Sequence, residues 1–294
     1  MARILVTGVG GPAGRTVAAM LLARGHRVVG VDARGEDEPG VKTPGVEFFQ
    51  VPLATHPRFL DELASTAGRE GVELLIPTVT EELPVVARYW SRVSRVRVMI
   101  GSPAPVEIAD DKHATCCSLS DLGVAVPRFC LPSQVRSRRD VERALGWPCL
   151  SKPRRGRGGR GVAVRQPSDW PAMEALDDSF VLQEFLPGTD YDPNVLMRRA
   201  GESAPLVVVL EKTRLKEGIV GNAAEVRRAH DADVAALAAA TGQALGFVGP
   251  LDLDIRRGRD GRPAVIDINA RFGANIACAP EILDAALADW GFGA

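Results

Sequence analysis

Through the first hundred residues, short apolar runs alternate with longer stretches whose apolar positions recur at helical spacing. Residues 3–7, 27–31, 46–51, 74–77 and 97–100 are the strand-like runs. Segments 13–24, 57–68 and 81–90 lie between them and read as helices. Alternation of this kind predicts a parallel sheet with right-handed crossovers. It stops at 101–105, Gly-Ser-Pro-Ala-Pro, a break that marks the first domain boundary.

Beyond that break the pattern changes. A helix is expected over 107–122, then a strand entered through Pro127, and a second helix over 138–145. Strand 149–153 runs into the glycine-rich segment 154–161, and 162–165 leaves it. Strand-like runs follow at 180–186, 194–199 and 205–211, a helix at 231–245, and strands at 247–255 and 264–269 joined by the turn 257–262.

Charge and composition narrow the functions. The net charge of −1 gives no electrostatic reason to expect a nucleic-acid or membrane partner. No apolar run approaches the ~18–20 residues of a membrane span. The first residues read as a strand and turn rather than a signal peptide. The five cysteines include no Cys-x-x-Cys pair, which fits reduced thiols in the cytoplasm and offers no zinc site. The four histidines are scattered. Among 36 basic residues only five are lysines: Lys42, Lys112, Lys152, Lys212 and Lys216. In an Arg-rich chain each is a candidate for a task that needs a compact point charge.

Three groups of residues carry candidate chemistry. Gly8, Gly10, Gly11 and Gly14 follow the first strand and open a helix, a turn that either holds a phosphate or is structural. Asp32 ends the next strand, where a ribose-binding acid would sit. This segment alone is similar to a short-chain dehydrogenase or sugar epimerase. The Tyr-x-x-x-Lys pair such an enzyme needs is absent, since Val93 and Val195 stand four residues after Tyr89 and Tyr191. Second, Arg154–Gly161, with Gly158 and Gly159, forms a glycine-rich loop between two strands, either a flap whose N–H groups close over phosphates or a basic hairpin tip. Third, Asp252 and Asp254 share one face of a strand, as do Asp267 and Asn269 on the next. If those strands are neighbours, four hard oxygen-bearing side chains converge in a way that suits Mg²⁺ on nucleotide phosphates.

The order of these features resembles the ATP-grasp superfamily over essentially the whole chain. The branch is that of the carbamoyl-phosphate synthase large subunit and its smaller carboxylate–amine ligase relatives. The resemblance rests on Asp111-Lys112, Gly123–Pro127, Pro148–Pro153 with its loop, Val181–Gly188 with Asp190, Gly249–Asp254 and Val265–Arg271. It implies an α/β plus α+β architecture: a Rossmann-like pre-ATP-grasp domain (1–104), a small nucleotide-lid subdomain (105–180) and a C-terminal ATP-grasp subdomain (181–294). It also implies roles. Lys112 and Lys152 would hold the α- and β-phosphates. Gln183, Glu184, Phe185 and Leu186 would border the adenine, with Glu184 taking its amino group, and Asp190 would hold the ribose. Asp254, Asp267 and Asn269 would bind Mg²⁺ or Mn²⁺. Arg271 would stabilise the transferred phosphoryl group, while Lys212, Arg214 and Arg227 would face the substrate or the γ-phosphate.

The implied activity is ATP-dependent amide or peptide bond formation from a small-molecule carboxylate and an amine, with amino acids the expected substrate class. Homodimer formation is left open. Three positions depart from the family's usual pattern: Asp267 replaces Glu, Ala270 replaces Pro, and Asp254 stands where Gln or Glu is common. The alternatives are an ATP-binding protein of the same fold without ligase turnover, and a nicotinamide-dependent dehydrogenase resting on the first glycine turn.

Overall fold

The computed structural model describes residues 1–199, 204–218 and 220–293. β1 (Arg3–Thr7) and β4 (Leu74–Ile76) are apolar and buried along nearly their whole length, as strands covered on both faces must be. They form the centre of a five-stranded parallel sheet with β2 (Arg27–Asp32), β3 (Val46–Gln50) and β5 (Arg97–Val98), in the order β3-β2-β1-β4-β5. Successive β1 residues enter different cores: Ile4 and Val6 pack into one, and Leu5 into the other. Helices α1 (Pro12–Ala23), α2 (Phe59–Arg69) and α3 (Leu83–Val93) supply much of the covering surface. The strand order reverses between β1 and β4.

The helix expected over 107–122 is two helices. α4 (Pro103–Asp110) starts inside the proline-rich segment, with proline in its first turn, and α5 (Lys112–Asp121) follows. Asp111 separates them. Its backbone is extended, and its side chain accepts from the N–H groups of His113 and Ala114 at 3.0 and 3.3 Å. The cap satisfies donors that a continuous helix would have used, and it fixes Lys112 at the start of α5.

A four-stranded antiparallel sheet comes next: β6 (Phe129–Cys130), β7 (Cys149–Pro153), β8 (Ala163–Arg165) and β9 (Phe180–Glu184), ordered β6-β9-β7-β8. Short helices α6 (Arg138–Ala144) and α7 (Trp170–Glu174) accompany it. β9 pairs with β6 and β7, so the boundary expected at 180/181 falls at the start of a strand that belongs to this sheet.

The third sheet is antiparallel: β10 (Asp190–Met197), β11 (Leu206–Glu217), β12 (Val220–Arg228), β13 (Gly249–Arg257) and β14 (Pro263–Asn269), ordered β12-β11-β10-β13-β14. α8 (Ala232–Ala244) packs on one face of it through Val234 and Ala238. α9 (Pro280–Asp289) joins the sheets. Its Ile282, Leu283, Ala286 and Leu287 share one core with Ile4 and Val6 of β1 and with Leu196 of β10.

Candidate active site

β13 and β14 pair so that Asp254 stands opposite Asp267 and Asp252 opposite Asn269. The neighbourhood expected from the sequence is therefore present. All four residues line a cleft of about 320 Å³ between this sheet and the small sheet. Each carboxylate meets a cation. Lys212, two strands away on β11, bonds Asp254 and lies 3.1 Å from Asp190. Lys112 lies 3.2 Å from Asp267, and Arg271 donates to Asp252 at 2.5 Å. Gly273 makes room for the last pair, because a Cβ there would meet Asp252 Oδ1 at 2.2 Å.

The opposite wall comes from β7. Lys152 is 6% exposed, and its Nζ donates to Gln183 Oε1 at 2.6 Å across the β7–β9 pairing. Among the described residues it has no ion pair. An ammonium has three N–H donors, so Lys152 keeps unused donors inside the cleft. Burial pushes its pKa below the usual lysine range, against the pull of Asp267. This is the environment of a cation waiting for an anion. The 154–161 loop overhangs it. Gly156, Gly158 and Gly159 adopt positive φ, which side-chain-bearing residues rarely do. Lys112 Nζ donates to the Gly156 carbonyl at 3.0 Å, and Arg154 pairs with Asp111 at 2.6 Å, so the loop is anchored at the α4–α5 break.

Electrostatically the floor is a tight lattice of opposite charges. Burial pushes Lys212 down, but Asp254, Asp190 and Asp192 outweigh it and raise its pKa. Burial pushes Asp254 up, and Lys212 together with Lys152 and Arg271 more than reverses that. Asp190 is raised by burial despite Lys212. Asp192 is raised well above the carboxylate range by burial and by Asp252 beside it. Asn275 donates to Asp192 at 2.6 Å.

Lys112, Lys152, Gly158, Gly159, Asp190, Lys212, Asp254, Asp267, Asn269 and Arg271 are thus brought into one cleft. Others are not. Arg214 pairs with Glu225, both side chains are about 60% exposed, and neither lines the cleft. Arg227 likewise pairs outside it with Glu211. Glu184 spends its carboxylate on Arg128, at 3.0 and 3.1 Å, and its N–H on the Arg128 carbonyl. Gln183 turns its side chain to Lys152, Phe185 packs under the Arg256 guanidinium at 5.3 Å, and Leu186 is buried. Asp192 was missed, although its two-residue spacing from Asp190 put it on the same strand face. Asn275 was also missed; it sits in a loop with no periodic signal.

Among the described residues no three acidic, histidine or cysteine side chains converge closely enough to hold a metal alone. Asp254, Asp267 and Asn269 nevertheless present hard oxygens to one cleft. Such a set fits a cation that draws the rest of its coordination from a bound phosphate.

Comparisons with known proteins agree with this geometry. Residues 109–275, more than half of the chain, match the family model described as an ATP-grasp domain, and residues 4–75 match that of the NAD dependent epimerase/dehydratase family. The carbamoyl phosphate synthase large chain of Mycobacterium sp. (strain JLS) is 29% identical over 103 residues, which is 35% of this chain and 9% of that protein. The match therefore spans less than a tenth of the curated relative. Among solved structures, L-amino acid ligase from Bacillus licheniformis superposes with a TM-score of 0.69 at 17% identity, over 96% of this chain and 69% of that one. N5-carboxyaminoimidazole ribonucleotide synthetase from Thermotoga maritima gives 0.69 at 18%, over 99% and 76%. Biotin carboxylase from Campylobacter jejuni gives 0.70 at 13%, over 100% and 72%. Identities this low speak to the fold.

Proposed function

This chain belongs to the ATP-grasp family, and on that premise we propose that it is an ATP- and Mg²⁺-dependent carboxylate–amine ligase acting on amino acids. The observation that carries the proposal is Lys152: a buried ammonium with spare donors and, among the described residues, no ion pair, facing a cleft whose far wall bears Asp254, Asp267 and Asn269. A polyphosphate would answer that charge.

Lys152 and Lys112 bind the triphosphate as point charges. Asp254, Asp267 and Asn269 would hold Mg²⁺, which when bound neutralises charge on the β- and γ-phosphates. A substrate carboxylate oxygen attacks the γ-phosphorus, the bond from that phosphorus to the β-phosphate oxygen breaks, and ADP leaves. The amine then attacks the acyl carbon. A C–N bond forms, the C–O bond to phosphate breaks, inorganic phosphate leaves, and the nitrogen releases its proton to solvent. Arg271 offsets negative charge on the transferred group. The 154–161 flap excludes water, which matters because an acyl phosphate hydrolyses. Residues 1–104 are read as the Rossmann-like pre-domain of the family. In it Asp32 is committed: its oxygens accept from Gly10 N at 2.9 Å and Arg34 N at 3.0 Å. That bonding disfavours a ribose-binding role and the dehydrogenase reading.

The test is a screen of amino-acid pairs with ATP and Mg²⁺, scored by ADP release and by mass of the amide product. Substrate-stimulated ADP with a condensed product supports the ligase. A second reading, nucleotide binding without turnover, is favoured by one observation: Lys212 and Lys112 already occupy Asp254 and Asp267. It predicts thermal stabilisation by ATP with no ADP from any pair.

A further inference from the structure

The floor of the cleft carries more acid than one metal site uses. Asp190, Asp192, Asp252, Asp254 and Asp267 all line it, from β10, β13 and β14. Carboxylates packed together are costly to bury unless cations stand among them. Lys212 reaches in from β11, and its side chain is only 6% exposed. Its Nζ bonds Asp254 Oδ1 and lies 3.1 Å from Asp190 Oδ1, so one ammonium bridges β10 and β13. Both strands are irregular at this contact. The β11–β12 register shifts directly after Lys212, and the β13–β14 register shifts directly after Asp254. Such irregularities re-aim side chains.

The other cations are placed differently. Arg271 commits Nη1 to Asp252 and to the Phe272 carbonyl at 3.0 Å, so Asp252 is already matched. Lys112 divides its Nζ between Asp267 at 3.2 Å and the Gly156 carbonyl of the glycine-rich loop at 3.0 Å. A phosphate arriving under that loop competes for it. Asn269 turns Nδ2 to the Asp252 carbonyl at 3.3 Å, which leaves its Oδ1 as an acceptor. The hard oxygens that remain are the second oxygen of Asp254, the Asp267 carboxylate and Asn269 Oδ1. With phosphate oxygens added, they make up the coordination of one ion.

We propose that Lys212 is a built-in cation standing in for a divalent ion, so that the cleft takes one divalent cation with each nucleotide and not two. The inference rests on the ligase reading and deepens it, by setting the metal stoichiometry of that same site. A second divalent ion on Asp254 and Asp190 would lie against the Lys212 ammonium, and their repulsion opposes it. Without the ammonium, Asp190, Asp192 and Asp254 become an uncompensated set of hard oxygens that draws a second cation.

The experiment is equilibrium dialysis of the full chain against MnCl₂ and a non-hydrolysable ATP analogue, with bound manganese and bound nucleotide both measured. The parent should hold one Mn²⁺ per bound analogue, and Lys212→Ser should hold two. Lys212→Ser should also gain more thermal stability from Mn²⁺ alone than the parent does. If Lys212→Ser does not fold, Lys212→Gln takes its place with the same expectation. Two ions per analogue in the parent, or one in the neutral variant, overturns the inference. A thermal shift from the analogue in the parent keeps this result separate from the nucleotide reading: a parent that shifts and binds two ions overturns the single-ion site alone, whereas a parent with no shift overturns the ligase reading and this inference with it.

Discussion

Asp254 and Asp267 face each other across β13 and β14, yet each answers a different lysine: Asp254 binds Lys212 from β11, and Asp267 binds Lys112 from the start of α5. One wall of the cleft is thereby tied to two others before any nucleotide arrives. Lys112 also holds the Gly156 carbonyl, so the Asp267–Lys112 pair couples the sheet to the flap.

Replacing Asp267 with Asn keeps the side chain's shape and removes its charge. Lys112 is then freed for phosphate, so nucleotide binding should survive. Turnover should fall by ~10²-fold or more, because charge placed for the transition state is lost. Steady-state ADP release across an Mg²⁺ titration, beside an ATP thermal shift, separates the two effects. A variant with parental kcat would remove Asp267 from the site.

Lys152→Met tests the phosphate site directly. The substitution takes a desolvated charge out of a wall where, among the described residues, it has no ion pair, so stability should hold or rise. The stabilisation by ATP should vanish. Retained ATP affinity would mean that the triphosphate lies elsewhere. Lys152→Arg should fail almost as fully, since a buried fork cannot replace a point charge bonded to Gln183.

Much of this site was legible in the sequence because period-2 spacing and a short turn are local signals. Asp252, Asp254, Asp267 and Asn269 share a face by arithmetic, and the 257–262 turn makes their strands neighbours. What was not legible depends on chain crossing. Lys212 reaches Asp254 over β10, a distance of two strands that no spacing encodes. β12 gives no strand signal because its small and polar residues lack alternation. The helical spacing of Ile282, Leu283, Ala286 and Leu287 in α9 is local, but its role, clamping β1 to β10, shows only in three dimensions. The α4–α5 break at Asp111 was local but hidden, since the apolar pattern runs on through it. Glu82 read as an ordinary residue at a helix start; its burial comes from β1.

The flap has a latch on the first domain. Arg157 pairs with Glu81 at 3.1 Å, with both side chains more than a third exposed. Exposed pairs contribute little, so Glu81→Gln should leave unfolding stability unchanged and raise the KM for ATP by at most ~5-fold. The more sensitive measure is coupling. A looser flap admits water, so ADP formed per amide formed should rise above the parental ratio. An unchanged ratio would show that the latch plays no part in guarding the acyl phosphate.

The last prediction concerns pH. Burial pushes Glu82 from 4.5 up to about 7, against the bonds from Thr7, Val79 and Thr78 and the more distant charge of Arg157. The folded state therefore holds this proton more tightly than the unfolded chain does. Its contribution to stability is complete below about pH 4.5 and is lost as pH rises through about 7. The difference amounts to on the order of 3 kcal/mol. Glu82→Gln keeps an oxygen for the same three donors and cannot ionise. Urea unfolding at pH 5 and pH 8 should show the parent losing stability relative to this variant as pH rises. Parallel pH profiles for the two proteins would show that Glu82 is not the buried acid inferred from its surroundings.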